Sequence, residues 1–137
     1  MTATPGLYTP PLYDSTDSLL RFAMRADATL TGMCGLAVAF FADPISSLTG
    51  LTSLQEYSLG AFFVIYGLAV FSLAALPNLR RAGIGVVAAN IVYTLAAMVA
   101  AEAVPMTATG VAATLATGVY TAAFAWLQYL GVRRLAA

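Results

Sequence analysis

Asp27 is the side chain whose chemistry most needs an explanation. It lies in an apolar stretch, where a carboxylate is costly unless it is paired or hydrogen-bonded. Arg25 is two residues away and cannot share its helix face. Gln128, Tyr129 or one of Arg80 and Arg81 could meet Asp27 from another element, and a buried polar pair of Asp27 with Gln128 is expected. The sharper chemistry would be a proton or cation site. A coupled transporter, however, carries its carboxylate near the midplane, and Asp27 is expected about one turn inside the edge. A second set, Tyr66, Asn90, Tyr93 and Tyr120, falls near the centres of three later apolar stretches, with Thr31 and Cys34 in the first. Phenol and amide groups at that depth either hydrogen-bond between helices or hold the polar group of a quinone, a lipid or another amphipathic molecule. Tyr66, Asn90, Tyr93 and Tyr120 are therefore the candidate ligand-binding residues, and their spacing does not choose between the two uses.

Much other chemistry is excluded. Without histidine there is no imidazole base, no His-ligated haem and no His-containing metal site. Cys34 is the single cysteine, so no internal disulfide forms, and its apolar setting disfavours a thiolate. Paired carboxylates within a span, a glycine-rich phosphate loop and a nucleophile–base set are all missing. Six arginines close to the bilayer are too few for a nucleic-acid surface. No catalytic residue, metal or cofactor is expected.

The elements that position these residues follow from composition. Of 137 residues 61% are hydrophobic and 9% charged, and the mean hydropathy is +0.85. A soluble domain of this size could not bury that much apolar surface. About 20 apolar residues in a helix cross the ~30 Å hydrocarbon layer, and four such stretches are present, over residues 21–42, 57–76, 82–101 and 107–131. The expected fold is all-α: a polytopic membrane protein built as an antiparallel four-transmembrane-helix bundle over residues 17–137. A proline- and tyrosine-rich cytoplasmic arm over residues 1–16 precedes it, extended by its prolines and able to pack on a partner.

Local signals mark the ends. Ser53-Leu54-Gln55-Glu56 reads as a capping box opening the second span. Asp43-Pro44 ends the first span and leads into a short surface turn. Pro77 and Pro105 separate the later spans. With four spans, Arg21, Arg25, Arg80, Arg81, Arg133 and Arg134 all fall on one side with Asp14, Asp17 and Asp27, a net of +3. Asp43, Glu56 and Glu102 give −3 on the other. The positive-inside rule makes these six arginines topology anchors and puts both termini in the cytoplasm of a bacterial plasma membrane. The competing reading of the first span is a signal peptide cleaved near Ala37-Val38-Ala39; three aspartates among the first 27 residues and the lack of a soluble domain after it argue against that.

Small residues should govern packing, since lipid gives helices no hydrophobic reason to associate. Gly110, Thr114, Gly118 and Ala122, four apart, predict a tight contact for the fourth span. Gly32 and Gly35 mark the first span, and Gly60 and Gly67 the second. The short link at Pro77 predicts that spans two and three are antiparallel neighbours.

At Arg25-Ala-Asp27-Ala28-x-x-Thr31-Gly32 and Leu127-Gln128-x-x-Gly131-x-Arg133-Arg134 the chain resembles an uncharacterised family of small four-span integral membrane proteins of high-GC bacteria, of actinobacterial type. The resemblance implies the span layout and carries no activity. It also sets Asp27 and Gln128 in the two recurring stretches, in keeping with their pairing. The function expected from the whole is non-enzymatic: an accessory or structural subunit of a larger inner-membrane complex, a respiratory one included. Its partners would be membrane lipids and other membrane subunits or copies of itself, with no nucleic acid. The alternative is a stand-alone lipid-, quinone- or small-molecule-binding or transport protein with a polar site between the helices.

Overall fold

The computed structural model describes residues 15–136, and everything described is helix, turn or short link. The arm expected over residues 1–16 lies outside the described residues except for its last two positions, as does Asp14. After a 3-10 turn at Ser15–Asp17 come α1 (Ser18–Phe40), α2 (Ala42–Thr49), α3 (Ser53–Leu73), α4 (Arg80–Ala103) and α5 (Ala108–Arg133). Helices α3, α4 and α5 are each long and apolar enough to cross a membrane, and α1 with α2 would make a fourth, bent span. These lengths suggest a multi-pass membrane protein.

The ends have identifiable causes. The first span stops at Phe40, two residues earlier than the expected end at Ala42, and α2 leaves it at 91°. Continued helix would set the Pro44 ring against the carbonyl of Phe40 and leave that carbonyl without a donor. In the first turn of α2 the missing N–H costs nothing. Gly50, at φ 82°, ends α2 in the left-handed region. The capping box of α3 is one residue earlier than expected: Thr52 accepts from the backbone N–H of Gln55 at 3.1 Å, and the Gln55 side chain accepts from Thr52 N–H at 2.9 Å. That register leaves Glu56 free to turn inward, where it is buried and accepts from the Thr49 hydroxyl at 2.6 Å.

Glycines decide which helices meet. A Cβ on Gly35 would lie 2.5 Å from the carbonyl oxygen of Gly60, and one on Gly67 2.6 Å from that of Ala28. So α1 and α3 touch backbone to backbone, with residue numbers rising along one and falling along the other. A Cβ on Gly131 would lie 2.7 Å from Leu20 Cα, joining α5 to α1 in the same opposed sense. Helix α4 packs mainly on α5.

Two expectations are corrected. The short link at Pro77 does not make α3 and α4 close neighbours; they are absent from the well-packed helix pairs. A link constrains only the ends it joins, and beyond it the rings of Phe63 and Tyr93, 5.8 Å apart, stand between the two backbones. Nor do Gly110, Thr114, Gly118 and Ala122 form one contact. Four residues exceed a 3.6-residue turn, so such a row drifts around its helix. Gly110 meets the Thr49 carbonyl of α2, Thr114 donates to the Met106 sulfur, Gly118 faces Ala97 and Ala122 is exposed.

Charge is segregated along the helix axes. Arg21 donates to the carbonyls of Ala74 and Leu76 past the end of α3, at 2.6 and 3.0 Å, so the start of α1 adjoins the end of α3. Leu20 also reaches Gly83 and Gly131, near Arg80, Arg81, Arg133 and Arg134. All six arginines therefore share one end. Asp43 on α2, Glu56 at the start of α3 and Glu102 at the end of α4 mark the opposite end. There Thr107 N–H and hydroxyl donate to the carbonyls of Thr49 and Leu48, tying α2 to the start of α5.

Candidate functional site

Four helices deliver side chains to Asp27. Helix α1 supplies Asp27 and Thr31, one turn apart. Helix α3 supplies Tyr66 and α4 supplies Asn90. Helix α5 supplies Tyr120 and Gln128, whose separation of eight residues keeps them on one face. Asp27 and Gln128 are 0% exposed and Asn90 2%. The Asp27 Oδ2 accepts from the Tyr66 hydroxyl, Asn90 Nδ2 and Gln128 Nε2, each at 2.9 Å. Oδ1 accepts from Thr31 Oγ1 at 3.0 Å and from the Tyr120 hydroxyl at 3.2 Å. Thr31 Oγ1 and the Tyr120 hydroxyl are themselves 2.9 Å apart, and Asn90 also donates to Gln128 Oε1 at 2.8 Å.

The donors are all neutral. An ionised carboxylate only accepts, and five donors around two oxygens replace the water that burial removes. No arginine takes part; among the described residues the ion pair found is Asp17 with Arg21, 2.8 Å, at the surface. Oδ2 faces three donors and is fixed as an acceptor. Oδ1 faces two hydroxyls, which can turn to donate or accept.

The site residues expected from sequence, Tyr93 excepted, thus fall into one cluster rather than two. Asp27 and Gln128 pair, and Tyr66, Asn90 and Tyr120 join them. Asp27 lies nine residues into α1, level with the tyrosines and Asn90, because α1 begins at Ser18, before the expected start at residue 21. Tyr129 is not a partner: its ring stacks at 5.7 Å on Trp126, and the Arg133 guanidinium lies 5.9 Å from its centre. Arg80 and Arg81 are exposed at the helix end and do not reach Asp27. Tyr93 stays apart, within hydrogen-bond distance of Thr117 Oγ1 at 3.1 Å. The anchors Arg25, Arg133 and Arg134 are exposed. Arg21 has a further role that sequence reasoning missed, closing the end of α3.

Beside this cluster lies a cavity of about 310 Å³, at the lower end of ligand-site volumes. It occupies the space that α3 and α4 leave by not packing together. Its walls are the rings of Phe62, Phe63, Tyr66, Tyr93 and Tyr120, with Leu30 and Cys34 from α1 and Ala89 and Ala116 from α4 and α5. Polar edges come from Thr31, Asn90, Thr117 and Thr121. Asp27 does not line it, nor does Gln128; the other four donors, Thr31, Tyr66, Asn90 and Tyr120, do. Glu56 is the buried polar residue that sequence reasoning left at the surface, and its signal was Thr49 seven residues earlier, across a glycine turn. No protein-family model, curated protein or solved structure matches this chain.

Proposed function

We propose that this chain is a non-enzymatic integral membrane protein that binds an amphipathic molecule in the cavity between α1, α3, α4 and α5. The helices would cross a bacterial plasma membrane as an antiparallel four-span bundle, with α2 lying at the outer surface and both termini in the cytoplasm. The carrying observation is the aromatic cavity set directly against the donors of a buried carboxylate. Aromatic walls accept a flat or flexible apolar body. The Tyr93–Thr117 hydroxyl pair and the rim of the Asp27 cluster offer one hydrogen-bonding group at its end. Asp27 acts through its neighbours, holding Tyr66, Asn90 and Tyr120 in place so that the site is formed before the ligand arrives.

Mass spectrometry of the protein purified in mild detergent tests this. A small amphipathic molecule should travel with the wild type. Ala116→Phe, which fills the cavity from a position exposed to it, should lose that molecule while the helices keep their melting temperature within a few degrees. Tyr93→Phe should weaken retention by removing one hydroxyl. A cavity empty in every preparation, with lipid supplied, would overturn the proposal.

An accessory place in a larger inner-membrane assembly is the second reading. Its support is the outer face of α4, where Gly85, Val92 and Ala96 recur at helical spacing and are exposed. A Cβ on Gly85 would meet nothing within 4 Å. Such a face admits another helix closely. Co-purification of a stoichiometric partner protein would support it, and a lone homogeneous species would count against it.

A further inference from the structure

A second depression lies on α1 toward the arginine end, about 910 Å³ in volume. Its floor is Phe22, Ala26, Thr29 and Leu30, a stripe at helical spacing, and its mouth carries Asp17, Arg21, Arg25 and Pro77. Leu30 lines both this groove and the aromatic cavity. One ribbon of α1 thus runs from charged side chains to the aromatic cavity, and Arg25 to Cys34, nine residues, is ~14 Å along the helix.

The two arginines at the mouth are not equivalent. Arg21 is engaged by the Asp17 carboxylate and by the carbonyls of Ala74 and Leu76. Arg25 is exposed and has no ion-pair partner among the described residues. Arg21, Arg25 and Asp17 together leave one positive charge at the mouth of an apolar groove whose lining meets that of the aromatic cavity at Leu30. A phosphodiester complements that charge, and guanidinium–phosphate hydrogen bonds are among the stronger ones. A molecule with an anion at one end and a long apolar chain at the other matches the sequence of surfaces.

We propose that the groove and the cavity together hold one anionic phospholipid, its phosphate on Arg25 and one acyl chain running past Phe22, Ala26 and Thr29, over Leu30 and into the aromatic cavity. The inference rests on the cavity being a binding site and names its ligand. The lipid would enter in the orientation it already has in the leaflet on the arginine side, head at the boundary and chain toward the centre. A zwitterionic lipid brings the same phosphate with a cation of its own, so its headgroup is net neutral and leaves the net positive charge of the mouth in place.

The test uses the full chain, delipidated in detergent, with dioleoyl phosphatidylglycerol and dioleoyl phosphatidylcholine as probes and native mass spectrometry as the readout. Retention of phosphatidylglycerol should exceed that of phosphatidylcholine by roughly fivefold, the worth of one interfacial cation. Arg25→Gln should abolish the preference, and Ala116→Phe or the milder Cys34→Leu should weaken both lipids. Excess inorganic phosphate should displace neither. Displacement by phosphate would assign Arg25 to a free anion and overturn the proposal, as would equal retention of the two lipids by wild type. Sensitivity to Arg25→Gln without sensitivity to the cavity-filling variants would also overturn it, because the chain would then lie outside the cavity. If a neutral molecule is retained instead and lost in Ala116→Phe, this lipid assignment fails and the cavity remains a binding site. If a folded protein retains nothing, both fail.

Discussion

Asparagine at position 27 can keep the wild-type geometry, and leucine cannot. In Asp27→Asn the amide oxygen can take the place of Oδ2, still accepting from Tyr66, Asn90 and Gln128. The new NH₂ then faces Thr31 and Tyr120, whose hydroxyls can turn to accept. Asp27→Leu strands three donors away from water, at ~1–3 kcal/mol for each unsatisfied group. The expected losses are about 1 kcal/mol for asparagine and at least ~3 kcal/mol for leucine. Denaturant titration in detergent, followed by Trp126 fluorescence, measures both, and equal losses would remove Asp27 as the hub of the cluster. The same arithmetic explains why Asp27 needs no cation. Neutral donors in sufficient number stabilise a buried carboxylate without adding the desolvation cost of a second ion.

At the scale of elements, helix choice follows from where backbone can approach backbone. Gly35→Ala would force a methyl group against the Gly60 carbonyl and the Phe63 Cβ, at 2.5 and 2.7 Å, so α1 and α3 must part. Overpacking of this kind costs ~1–3 kcal/mol, read as a clear fall in melting temperature by circular dichroism. Gly85→Ala is the control: its Cβ points into open space, and alanine gains roughly 0.5–1 kcal/mol of helix propensity. A fall in both variants would mean that the α1–α3 contact is not what the melt reports. The same pairing explains the cavity. The glycines of α3 are spent on α1, its Phe63 and Tyr66 turn toward the α4 side, and bulky rings on facing helices hold open a space that small residues would have closed.

For the whole molecule, the segregation of charge makes a topological prediction. In a Cys34→Ser background, cysteines placed at Asn78, at Ala136 and at Ser47 test it with a membrane-impermeant thiol reagent. Asn78→Cys and Ala136→Cys should react only from the cytoplasmic side, and Ser47→Cys only from the outside. Reaction of the first two from opposite sides would mean an odd number of crossings between them, and the four-span reading would fail. The bend of 91° after Phe40 adds a constraint. Helix α2 is eight residues long, ~12 Å, too short to cross anything, and is pinned to the start of α5 by Thr107. It should therefore protect the outer ends of α3 and α5, and hydrogen exchange should be slower at Gly110 than at Ala108.

The sequence alone determined the class of elements, their approximate ends and the gathering of all six arginines at one end. Each is a local or additive property: hydropathy sums along the chain, prolines stop helices where they stand, and an even number of helices returns the chain to the side it started from. It also paired Asp27 with Gln128 and marked Gly32, Gly35, Gly60 and Gly67 as packing residues. Tertiary structure alone decided that Tyr66, Asn90 and Tyr120 converge on that same carboxylate, that Tyr93 does not, that α3 leans on α1 rather than α4, and that the row from Gly110 to Ala122 serves four different surroundings. Those outcomes depend on the rotation of each helix about its own axis. A 3.6-residue period brings nearly every position of an apolar helix to some lipid- or protein-facing side, and with few charges to mark the outside, only the fit of one backbone against another sets the angle.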